Sequence, residues 1–300
     1  MAKPSKILRR STFTFLQNFH HFTTTPPLLA LPFAASVLLL QSIVLRARIL
    51  PLSPPSSSFL ERQISQNIAI SVLAFPSTIS SFLLSKASVI HHLLIQESPE
   101  SRSFARVLRI YTHLVHTHIC NSLLTLSAKA ISFSLMHWAH GFFAAAVSCL
   151  ILGYTFIISN TALIVSGVEG SGGFTQTLNA CALIKGNEGA ALWLTVWTNS
   201  ALAAVEFLFQ CRVVQGNRDE EGTAGILSSA ALEGIFIAYL YSVLLVVDTI
   251  VGCSLFTQIV QDRRRLQFHS EMEDQDDHCK SVNYIGSTEF CFPDVTCGTT

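Results

Sequence analysis

The sequence predicts an all-α fold: a polytopic integral membrane helix bundle of about six transmembrane helices, preceded by an N-terminal interfacial amphipathic helix. Three observations predict it. Only 13% of the 300 residues are charged, against roughly 25% in soluble domains. Half of the residues are hydrophobic, and the mean hydropathy is +0.46. The apolar residues also gather into runs near the length of about 20 needed to cross a hydrocarbon core about 30 Å thick. Net charge is zero, so electrostatics give no support to nucleic-acid binding.

Six runs qualify, at residues 28–45, 68–84, 110–133, 142–165, 189–209 and 231–256. Residues 1–27 form a basic lead with Lys3, Lys6, Arg9 and Arg10. Within it Leu8, Phe15, Phe19 and Phe22 fall on one helical face, the pattern of a helix lying on a membrane surface. The first 60 residues lack Asp and Glu and are rich in Arg, Ser and Thr, as transit peptides are. Against that, the run at 28–45 is long enough to span and has no clear small-residue cleavage site, so an uncleaved first helix is expected.

Pro51, Pro54 and Pro55 with Ser56–Ser58 predict a loop between the first two spans. Pro76 interrupts the second, freeing the carbonyl of Val72. The third carries His113, His116, His118, Asn121 and Lys129, which leaves its boundaries open. GVEGSGG at 167–173 ends the fourth, as glycine does past helix C-termini. The six-helix domain is taken as 28–260, and 261–300 as a polar acidic tail, disordered by composition around EMEDQDDH.

Lysine and arginine set the expected orientation. With both termini in the cytosol, that side holds Lys3, Lys6, Arg9, Arg10, Lys86, Arg102, Arg106, Arg109, Lys185, Arg263, Arg264, Arg265 and Lys280. The other side holds Arg46, Arg48, Arg62, Arg212 and Arg218. Thirteen against five follows the positive-inside rule.

Little chemistry is legible. HLVHTH (His113–His118) and HWAH (His137–His140) place imidazole pairs on one helical face, which could hold a metal. The two groups sit about 31 Å apart along a helix, with no carboxylate near in sequence, so they read as interfacial histidines. Cys120, Cys149, Cys181, Cys211 and Cys253 lie in or beside apolar runs and act as small hydrophobes. Cys279, Cys291 and Cys297 show no metal-binding spacing. No Walker loop, GxSxG, HExxH or dinucleotide fingerprint occurs. No cofactor and no enzymatic activity are expected.

The informative residues are polar ones inside apolar runs. A charge at mid-bilayer costs about 2.5–3.5 kcal/mol. Asp248 lies deep enough to need a proton, a partner or water; it either bonds helices together or takes part in a substrate or proton path. Asn160 and Asn199 are its expected partners. Lys129, Glu206 and Glu233 fall at one depth near the outer surface, and Lys129 is expected to pair with Glu206.

Four stretches carry a resemblance: FPSTISSFLLSKASVI, ISNTALIVSGVEG, NACALIKGNEGAALWL and YSVLLVVDTIVGCSLF. Through them, residues 5–260 resemble a plant family of functionally uncharacterised multi-pass membrane proteins. The resemblance implies six helices, a basic amphipathic lead and a cytosolic linker around Ala182–Gly186, and transfers no catalytic residue. The expected role is a structural, trafficking or lipid-organising component of the endoplasmic reticulum or plasma membrane, with lipids as partners. The alternatives are a small transporter or channel using Asp248 with Asn160 or Asn199, and a lipid-modifying enzyme.

Overall fold

The computed structural model describes residues 4–49, 76–95, 103–138, 142–215 and 224–286. The loop at 51–58, residues 68–75 of the second expected span, His140, Arg218, Cys291 and Cys297 lie outside the described residues. Two compact units are present, Met1–Phe256 and Thr257–Thr300.

The described residues are helical almost throughout. In chain order the helices are α1 (Pro4–Gln17), α2 (Phe19–Ile49), α3 (76–90), α4 (Ser103–Trp138), α5 (Phe142–Glu169), α6 (Phe174–Ile184), α7 (Glu188–Phe209) and α8 (Ala224–Gly286). Wide π turns, His91–Ile95 and Gln210–Gln215, extend α3 and α7. Five segments are long and apolar enough to cross a membrane: Phe19–Ser42, Ala105–Trp138, Phe143–Glu169, Glu188–Arg212 and Ala231–Arg265. They carry apolar side chains outward: Leu123 and Leu126 are each 65% exposed and Phe133 76%. Soluble proteins rarely leave such a stripe uncovered. These are the helices of a membrane protein.

Several boundaries differ from expectation, each for a local reason. The first apolar helix starts at Phe19 rather than residue 28 and runs through Pro26, Pro27 and Pro32. Pro27 has no N–H for the carbonyl of Thr23, four residues back. The Tyr239 hydroxyl donates to that carbonyl at 2.7 Å, which helps the helix survive its prolines. The third expected helix lengthens to 36 residues, and Thr117, Asn121 and Ser132 among its polar positions are buried. α6 was expected as part of a linker; it forms because Ala180 and Ile184 have a fully buried site to fill. The tail expected to be disordered from 270 is helical through Gly286.

Side-chain pairs set the helix directions in the first unit. Phe82 stacks on Phe33 at 4.5 Å, Ser85 donates to the Pro26 carbonyl at 2.7 Å, and the His92 ring lies 4.2 Å from His21. Numbers rise on α3 as they fall on α2, so the two are antiparallel. Thr117–Ser166, Asn121–Ser159 and Ser148–Ser132 make α4 and α5 antiparallel in the same way. Among the described residues, apolar clusters fill the spaces between helices. One gathers Ala34 and Leu38 of α2, Leu202 and Phe209 of α7, and Ile237, Ala238, Tyr241 and Leu245 of α8.

Candidate functional site

A buried polar centre lies where α3, α5, α7 and α8 meet. On α3, positions 83, 86, 87 and 90 are spaced i, i+3, i+4, i+7, one face of a helix. Leu83, Ala87 and Ile90 on that face are buried. Lys86 shares it and is only 6% exposed. This corrects its expected place in a loop after the second span. The helix runs past the expected end at Leu84 because Leu93 and Leu94 still find apolar partners.

The Lys86 ammonium donates to Asn160 Oδ1 at 2.9 Å and lies 5.0 Å from the centre of the Phe82 ring. Asn160 donates from Nδ2 to Asp248 Oδ2 at a long 3.5 Å. The Thr198 hydroxyl donates to Asp248 Oδ1 at 2.9 Å. Asn160 therefore links two opposite charges, using its carbonyl for one and its amide for the other. A recess of about 30 Å³ adjoins them, lined also by Thr161, Thr195 and Thr249. That is room for about two waters.

Asp248 and Asn160 meet as expected from the sequence, but Asn199 does not join them. Its amide donates to the Thr195 carbonyl of its own helix at 2.8 Å. Ala191, Leu194, Thr198 and Leu202 form the buried face of α7, and Asn199 lies one residue round from it. Periodicity along α7 would have selected Thr198.

The expected pairing of Lys129 with Glu206 is also corrected. Lys129 is exposed on α4. Glu206 Oε1 accepts from the Tyr241 hydroxyl at 2.9 Å, and Glu233 lies 3.7 Å from Arg212. Equal depth did not imply adjacency, since depth fixes a position along a helix and not which neighbours surround it.

A second polar cluster joins α4, α5 and α6. Asn121 donates to the Ser159 carbonyl at 3.0 Å and accepts from Thr177 at 3.1 Å. Thr117 donates to Ser166 at 2.8 Å and accepts from the Gly173 amide at 3.1 Å. Gln176 donates to the Ser171 hydroxyl. Gly170, with φ of 63°, takes the left-handed conformation that ends α5. Gly172 permits the closest approach: a Cβ there would fall 2.7 Å from the His113 carbonyl oxygen. Of the polar residues that weakened the third expected span, Asn121 is spent on helix contacts, while His116 and Lys129 stay exposed. Among the described residues, no three His, Cys, Asp or Glu side chains gather closely enough to hold a metal.

Residues 55–272 match the family described as Domain of unknown function (DUF8558). The match takes in Lys86, Asn160, Thr198 and Asp248, the bonded residues of the buried centre. No curated protein matches the chain, and no solved structure does.

Proposed function

The chain belongs to the DUF8558 family, and we propose that it is a six-span, non-enzymatic membrane protein with a structural, trafficking or lipid-organising role. Five helices meet the length and hydropathy of a span. We count α3 as the sixth span, and its antiparallel course beside α2 supports counting it. Both termini then face the cytosol, on the endoplasmic reticulum or plasma membrane, with lipids around the exposed apolar stripes. The resemblance of four motifs to plant multi-pass proteins supports a plant setting.

The observation that carries the structural role is the size of the central recess. At about 30 Å³ it has no room for an organic substrate. Lys86, Asn160, Thr198 and Asp248 beside it are engaged in bonds between helices, the usual use of such groups where apolar burial alone does not hold helices together. Asp248 has the hydrogen-bonding part of its expected roles in this reading.

The test removes both charges while keeping side-chain volume. The variant Lys86→Met with Asp248→Asn is expected to keep the wild-type membrane, protein level and proximity-labelled neighbours in plant cells. Loss of those neighbours at normal protein level would show that the charges do more than hold helices.

A second reading, transport of a small ion, is favoured by one arrangement. Lys86 and Asp248 carry opposite charges in the middle of the bundle, yet they are joined through Asn160 beside a recess that fits water. Buried ionisable groups in membrane segments often mark ion and proton pathways.

A further inference from the structure

Ionisable side chains recur along one line through the first unit. At one end Arg212 and Glu233 lie 3.7 Å apart. Eight residues along α8, about 12 Å at helical rise, the buried Tyr241 hydroxyl donates to Glu206 at 2.9 Å. Seven residues further along the same helix, about 10.5 Å, stands Asp248. Asn160 then connects Asp248 to Lys86.

The line continues on α3. His91 follows Lys86 by five residues, about 7.5 Å, and opens a π turn, a distortion often found at functional sites. The Nε2 atoms of His91 and of His21 on α2 are buried without a hydrogen-bond partner. Buried imidazole nitrogens ordinarily have one.

We propose that this line is a proton path through the bundle, with Asp248 and Lys86 as its central exchanging pair. It rests on the transport reading and names the ion. The steps are longer than one hydrogen bond and need bridging waters, for which the recess beside Asp248 has room for about two. A metal cation is disfavoured there, because the Lys86 ammonium repels it and the recess offers a single carboxylate. An anion is disfavoured by Asp248. A proton needs neither volume nor a ligand shell.

The protons balance in three steps. One from the Glu206–Tyr241 side converts the Asp248 carboxylate to the acid. Lys86 has then lost its counter-charge and releases a proton toward His91, becoming a neutral amine. Asp248 passes its own proton through the recess to Lys86, restoring carboxylate and ammonium. One proton has entered and one has left.

The experiment uses the full chain in vesicles of neutral phospholipid containing a pH dye, with a potassium gradient and valinomycin to drive protons inward. Wild type is expected to acidify the lumen about tenfold faster than empty vesicles. Glu206→Gln, and separately Lys86→Met with Asp248→Asn, should return the rate to the empty-vesicle value with unchanged incorporation and melting close to that of the wild type. A wild-type rate equal to that of empty vesicles, or full rates in both folded variants, overturns the proton path. Sodium or potassium indicators in parallel separate the two ideas: movement of those ions without protons leaves transport standing, and movement of none removes both.

Discussion

Lys86→Met alone is expected to lower the stability of the detergent-solubilised protein by about 3 kcal/mol, the scale for breaking a buried charge pair. The variant keeps most of the side-chain volume, so a cavity is not the cause. What it leaves behind is the Asp248 carboxylate, held by Thr198 and a long bond from Asn160 with no positive charge near. Asn160 Oδ1 also loses its donor. Adding Asp248→Asn removes the stranded charge while keeping an oxygen to accept from Thr198. The double variant should therefore recover most of the loss, which thermal unfolding followed by circular dichroism will read. Strictly additive losses would mean that the two groups do not sense each other.

Gly172→Ala is the second large effect, expected at about 2 kcal/mol, within the range for forcing extra volume into a packed site. The new Cβ would sit 2.7 Å from the His113 carbonyl oxygen and 3.2 Å from the His116 Cβ. Neither is the free end of a flexible side chain, so α4 or the α5–α6 corner has to move. Gly252→Ala supplies the control. Its Cβ would also meet an atom at 2.7 Å, but that atom is the Ile164 terminal methyl. A rotamer change can relieve that contact at lower cost. The same melting assay should rank Gly172→Ala well below Gly252→Ala in stability; the reverse order would place the rigid contact elsewhere.

The sequence carried the helical architecture because apolar length is a local property. The expected runs at 142–165 and 189–209 fall within α5 and α7 almost residue for residue. It carried the helix ends less well, because ends depend on partners. Nothing local says that Tyr239 will cap the carbonyl that Pro27 frees, or that α6 will find a site for Ile184. The same division holds at the buried centre. Asp248 stood out as a carboxylate in an apolar run, and Asn160 as a group at matching depth. Lys86 was hidden by an expected helix end two residues before it, although its spacing with Leu83, Ala87 and Ile90 was readable. Lys129 and Glu206 were matched by depth alone, and depth does not choose neighbours.

The central claim is that these helices cross a membrane in alternation, with α3 as one of the crossings. Glycosylation acceptors inserted singly at 216–223, at 96–102 and after residue 286 test it most directly in microsomes. The account predicts modification at 216–223 only, since that loop alone of the three faces the lumen when both termini are cytosolic. Modification of the insertion at 96–102 would put the start of α4 on the wrong side and contradict the six-span bundle.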